Sequence, residues 1–72
     1  MKTTVAIRTE YITLGQLLKF ENIIESGGNV KVFLAEIPVL VNGEPDNRRG
    51  RKLRPGDVVS IEEIGDFIIE SE

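Results

Sequence analysis

The sequence predicts an α+β fold, with two short helices packed on a small, mainly antiparallel sheet. Three observations point there. Apolar residues recur at helical spacing twice, as Leu14, Leu17 and Leu18, then as Val30, Phe33, Leu34 and Ile37. Elsewhere the period is two, as at Val5 and Ile7, Val39 and Val41, and Val59 and Ile61. Turn-forming pairs, Asn42-Gly43, Pro55-Gly56 and Gly65-Asp66, separate the alternating stretches. A chain of 72 residues has room for one domain, expected to span 1–72.

In chain order, residues 3–9 read as a strand with Val5 and Ile7 on one face. Thr13 offers a helix N-cap, and Gln16 three residues later completes a capping box. The leucine stripe loses phase after Phe20, where Asn22 can adopt the left-handed conformation and end a helix of about two turns. Ile23 and Ile24 read as buried connector residues. Ser26 is the candidate N-cap of the second helix, with Gly27 and Gly28 in the turn before it. Pro38 ends that helix, because the residue before a proline avoids the α region. Asn42-Gly43 is a tight hairpin signal and Pro55-Gly56 suits a type II turn. Gly65-Asp66 is read as a two-residue hairpin turn, with Phe67, Ile68 and Ile69 in a last strand. Residues 1–8 either add an edge strand or fray.

Composition removes several function classes. There is no cysteine and no histidine, so thiolate nucleophiles, histidine-based triads and the usual transition-metal ligands are absent. Glu62 and Glu63 fall side by side on an expected strand, where alternation sends them to opposite faces. No phosphate-binding or dinucleotide glycine motif occurs. The expectation is a protein that is not an enzyme and uses no cofactor, metal or small-molecule substrate. No run of 18 apolar residues exists, and the N-terminus lacks the apolar stretch of a signal peptide. A cytoplasmic, non-membrane protein is expected.

The charge pattern carries the strongest functional signal. Net charge is −3, yet five of the nine basic residues fall in seven positions: Arg48, Arg49, Arg51, Lys52 and Arg54. Arginine forks match phosphate oxygens and shed water readily, so the cluster suits a phosphate backbone. Gly50 and its neighbours place it in a loop. A solvated loop guarding a sheet edge would look the same on charge alone. Unanswered, however, these cations repel one another. Tyr11, Phe20, Phe33 and Phe67 sit at apolar positions and read as core, with none in the basic loop. That favours recognition of a folded RNA by shape and phosphate over the reading of its bases. The Ser26–Asn29 turn, with Gly28 and the nearby Lys31, reads either as an ordinary cap or as a second phosphate contact.

These residues resemble the RNA-binding domain named for small-subunit ribosomal protein S-four, also called the alpha-L motif. The likeness is greatest to its small stand-alone bacterial members of the YaaA type. It covers about residues 9–70, which would form the domain core. The family's Arg-Leu-Asp followed by Leu falls on Thr13, Leu14, Gly15 and Leu18. Its helix-two Ser-Arg falls on Ser26 and Gly27, the alanine after it on Val30, and its Leu-Ile pair on Phe33 and Leu34. The hairpin valines and Asn-Gly fall on Val39, Val41, Asn42 and Gly43, and the closing Gly-Asp on Gly56 and Asp57. The stretches ITLGQLLK, ESGGNVK, VLVNGEPDNRRGRKL and PGDVV make the likeness specific. Thr13 and Gly27 stand where the family has arginines that contact RNA, which leaves that work to Lys31 and the basic loop. The resemblance implies a grip on structured RNA, and for stand-alone members ribosomal RNA and large-subunit assembly.

The expected site is therefore Ser26, Gly28, Asn29, Lys31, Arg48, Arg49, Arg51, Lys52 and Arg54. Two other readings remain open. One is a protein-interaction module that meets ribosomal proteins through its acidic body. The other is a ubiquitin-like sulfur carrier, which shares the Asn-Gly-Glu and Gly-Asp turns. A carrier needs a C-terminal Gly-Gly, and the last residues here run Ile69 to Glu72, so no activation of the C-terminus is expected.

Overall fold

The computed structural model describes residues 2–24 and 29–72. Strand β1 (Lys2–Ile7) is followed by a two-residue strand β2 (Ile12–Thr13), helix α1 (Leu14–Phe20) and helix α2 (Val30–Glu36). Five strands complete the chain: β3 (Val39–Val41), β4 (Glu44–Pro45), β5 (Lys52–Leu53), β6 (Val58–Ile61) and β7 (Gly65–Ser71). The main sheet has the order β1-β7-β6-β3-β4, and β2 pairs with β5 in a separate ribbon. All pairings are antiparallel except β1 with β7, which run parallel over six residue pairs from Lys2↔Asp66 to Ile7↔Ser71. The α+β expectation holds.

Alternation decides which side chains enter the core. Val5 and Ile7, Val39 and Val41, Val59 and Ile61, and Phe67 and Ile69 are buried beneath the helices' Leu14, Leu17, Leu18 and Leu34. Each such burial contributes about 1.5–3 kcal/mol. Residues 2–7 do not fray. The Glu72 amide donates to the Ile7 carbonyl at 2.8 Å and Arg8 pairs with Glu72 at 2.7 Å, which closes the end of the parallel pair.

Helix α1 starts as its sequence demands. The Gln16 amide donates to Thr13 Oγ1, and the Thr13 amide donates back to Gln16 Oε1. Asn22 just beyond its end has φ 57, the left-handed stop its side chain tolerates. Helix α2 differs from expectation. Its cap is Asn29, whose Oδ1 accepts the Val32 amide at 3.1 Å, and not Ser26. Asn29 lies one residue before the first helical position, where a cap oxygen can reach the third amide, and Ser26 lies too far back. Ser26, Gly27 and Gly28 themselves lie outside the described residues.

The last hairpin also differs. Gly65 already pairs with Ile61, so the turn is the three residues 62–64 rather than Gly65-Asp66. Glu62 and Glu63 are exposed on that turn and not on a strand, and Glu63 takes φ 67. The other two turns fall where expected. Asn42 and Gly43 have φ of 52° and 83°, the pair of positive values that a two-residue hairpin with native twist requires. Gly56, at φ 100, closes the turn in which the Asp57 amide donates to the Arg54 carbonyl. Asn42 also ties these two turns together. Its Nδ2 donates to Asp57 Oδ1 at 3.0 Å and its Oδ1 accepts the Val58 amide at 2.9 Å.

Candidate nucleic-acid interface

The basic cluster is an ordered strap laid across the start of α1. The Leu14 amide donates to the Arg51 carbonyl at 2.8 Å and the Gly15 amide to the Arg49 carbonyl at 3.0 Å. Amides in the first turn of a helix have no partner within it. Here the strap's carbonyls take up the first two and the Thr13 hydroxyl the third. Gly15 makes this approach possible: a Cβ there would lie 3.3 Å from the Arg49 carbonyl oxygen and 3.5 Å from Val30 Cγ1. The same contact brings the first residue of α2 beside the strap, with Lys31 next in the chain and exposed.

The strap's like charges are answered by Asp46, whose side chain is only 7% exposed. Its Oδ1 accepts the Arg48 amide at 3.0 Å and Arg48 Nε at 3.1 Å. Its Oδ2 accepts Arg48 Nη2 at 2.9 Å and Arg51 Nη1 at 3.0 Å. The Arg48 hydrogen bonds, supported by those of Arg51, hold the Asp46 carboxyl far below the usual carboxylate range, against the opposing push of burial. Asp46 in turn raises the pKa of Arg48. The clamp leaves the Arg48 side chain 69% exposed and turns Arg51 inward, with 31% exposed. Among the described residues, Arg49, Lys52 and Arg54 make no ion pair.

Lys52 belongs to a strand rather than to the loop. Register sets Ile12 opposite Leu53 and Thr13 opposite Lys52. Residues opposite one another share a face of a ribbon, and neighbours along a strand alternate. Leu53 is fully buried and Ile12 packs against the core, so that face looks inward. The outward face then carries Tyr11, Thr13, Lys52 and Arg54. Lys52 Nζ lies 5.0 Å and Arg54 Cζ 5.7 Å from the Tyr11 ring centroid. Tyr11 is thus an exposed member of the basic face, not core, and the expectation that no aromatic joins the cluster is corrected. Phe20, 60% exposed, also leaves the core, while Phe67 is buried and Phe33 half-buried. Helix α1 and its apolar stripe end at Phe20, so periodicity could not assign that ring.

Sequence reasoning missed three contributors. Asp46 carried no signal beyond its sign. Tyr11 could have been found by extending the β2 alternation back one step from Thr13. Lys19 lies one helical turn after Gly15, and with Arg49, Gly50 and Val30 it lines a shallow groove beside the strap. Of the expected site, the structure brings Arg48, Arg49, Arg51, Lys52 and Arg54 together and sets the start of α2 beside them. Asn29 is exposed, with its oxygen committed to the cap. Ser26 and Gly28 lie outside the described residues.

The described residues hold no group of three or more acidic side chains able to bind a metal, and no helix long and apolar enough to cross a membrane. Fold and surface together define a small two-helix α+β module that carries a cationic face on an otherwise acidic chain. The sequence model of the S4 domain matches residues 5–70. The chain belongs to that family. It is also 61% identical over 67 residues to the probable ribosome maturation protein RlbA of Bacillus subtilis strain 168, covering 93% of this chain and 94% of that protein.

Proposed function

We propose that this protein binds structured RNA without catalysing a reaction, that its ligand is ribosomal RNA, and that it acts during assembly of the large ribosomal subunit. The observation that carries the reading is the strap. It holds Arg48, Arg49, Lys52 and Arg54 at the surface on a backbone pinned to α1, so little conformational freedom is lost when a phosphate backbone arrives. S4 domain membership and the name of the Bacillus subtilis relative support the same reading. Lys19 and Lys31 extend the cationic surface along α1 and α2. Thr13 occupies the place of a family arginine, and Lys52, its cross-strand partner, supplies a cation beside it.

Phosphate contacts release counterions, so salt reads them out. Four contacts give a log–log slope near −3, at about −0.7 to −0.9 per contact. A fourfold rise in salt then weakens binding about fifty- to 150-fold. The test is a salt titration on folded ribosomal RNA fragments, run beside a variant with Arg49, Lys52 and Arg54 changed to glutamine. This variant spares the Asp46 clamp and so keeps the fold. Its slope is expected to flatten by about 2–3 units. Salt-independent binding, or equal slopes for both proteins, rejects the strap as the RNA site.

A second reading, contact with a ribosomal protein, is favoured by one feature. The exposed Phe20 lines an apolar groove with Ala6, Ile7 and Ile12. Capture that survives nuclease treatment supports it, and capture that vanishes with nuclease supports RNA alone.

A further inference from the structure

We infer that Tyr11 is a stacking platform for an unpaired nucleobase, so that the preferred ligand is a duplex RNA interrupted by a bulge or loop junction. This rests on the RNA-binding reading above and narrows its ligand class. The chain holds one tyrosine, and the β2–β5 ribbon turns it outward, with Lys52 and Arg54 lying over its ring, rather than into the core. Tyr11 is 37% exposed, and nothing apolar in the described core requires a ring there. An aromatic face flanked by phosphate-seeking cations is the combination that binds unstacked bases: the ring takes the base and the cations take the phosphates beside it.

The paired part of an A-form duplex offers no free base face, because each base is covered by its neighbours. The ring can engage only a nucleotide outside the stack. Arg48 and Arg49 on the strap then reach phosphates of the adjoining duplex while Lys52 and Arg54, leaving the ring face, follow the unpaired nucleotide's own phosphates. Recognition becomes a joint reading of helix and interruption. Phosphate contacts alone would not distinguish a bulged duplex from a perfect one.

The test uses two RNA hairpins whose strands are joined by a non-nucleotide linker in place of a loop, one with a single bulged adenosine and one fully paired, and reads both affinity and tyrosine emission. With one tyrosine and no tryptophan in the chain, that emission reports on Tyr11 alone. The wild type should bind the bulged hairpin about five- to 150-fold more tightly, the range that base–aromatic stacking supports. The bulged hairpin should quench the emission and the paired one leave it nearly unchanged. Tyr11→Phe should keep the preference, since the ring remains. Tyr11→Leu should lose it, binding the bulged hairpin no more tightly than the paired one. Equal wild-type affinity for the two hairpins, or a preference that survives Tyr11→Leu, overturns the platform and leaves the RNA-binding reading standing. No binding of either hairpin or of folded ribosomal RNA fragments overturns both. Should Tyr11→Leu fail to fold by circular dichroism, the wild-type emission and the Tyr11→Phe preference still decide.

Discussion

In the main sheet, each inward residue is apolar, and the strands of β1, β7, β6 and β3 lie over leucines that exclude water. In the β2–β5 ribbon and the strap from Asp46 to Arg54, Leu53 is the one buried apolar residue. Order there comes from directed hydrogen bonds: two α1 amides onto strap carbonyls, and one carboxylate shared by two arginines. The first region is held by area removed from water, which is indifferent to pH and weakly sensitive to salt. The second is held by charge and geometry, which respond to both. A surface that keeps its cations exposed cannot be stabilised by burying them. It can be stiffened only from below, through backbone bonds and one counter-charge that leaves most donors free.

The sharpest way to test that division is to damage the sheet's core and watch the strap. Leu17 is fully buried. Leu17→Ala should cost about 2–5 kcal/mol, a large part of the stability of so small a domain. Urea unfolding should show the loss, while the molecules still folded should bind RNA with an unchanged salt slope. A changed slope would mean that strap and core are one cooperative unit, and the comparison would fail.

The converse experiment is Asp46→Asn, which should cost about 1–2 kcal/mol at neutral pH through lost charge-assisted hydrogen bonds. Its pH dependence carries the sign. The folded carboxyl titrates well below its unfolded value of about 4, so its stabilisation is complete above that pH. As pH falls below about 4 the unfolded chain takes up a proton that the folded chain resists, and the contribution drains away. Wild type and Asp46→Asn should therefore differ most at pH 7 and converge in acid. An equal gap at both pH values would show that shape rather than charge secures the clamp. With Arg48 and Arg51 released, the variant's RNA-binding slope should steepen or hold, and not flatten.

The sheet and helices were legible in the sequence because alternation and the leucine stripes are repeated signals. Asn42-Gly43 and Pro55-Gly56 were legible because positive φ at Asn42, Gly43 and Gly56 restricts which residues can occupy those turns. The second helix cap was missed by three residues, because Ser26 and Asn29 offer the same side-chain chemistry and only geometry selects between them. Gly65 reads as a turn residue in the sequence yet closes a ladder pair, since a glycine with φ 132 suits either place. The basic cluster was visible as charge, but what organises it was not. Asp46 contacts Arg48 and Arg51 through a fold of the strap that no period announces, and Tyr11 joins the cluster across strands, 41 residues before Lys52. Charge runs along the chain, whereas the site is assembled across it.

The smallest expected effect probes the seam between the two regions. Gly15→Ala would improve the helix by up to about 1 kcal/mol, since alanine is the better helix former. The added methyl would meet the Arg49 carbonyl oxygen at 3.3 Å, and that oxygen is already held by the Gly15 amide. It must retreat by a few tenths of an ångström and lengthen the bond it accepts. In a packed core such crowding costs about 1–3 kcal/mol. Arg49 and Gly50 are exposed, however, so the strap can lift as a unit and relieve most of it. The two effects should nearly cancel, leaving stability within about 1 kcal/mol of wild type while the backbone resonances of Arg49 and Gly50 shift in an NMR spectrum. A loss beyond about 2 kcal/mol would show that the strap is packed as rigidly as the leucine core, and hydrogen-bonded order and apolar burial would then cease to be separable in this molecule.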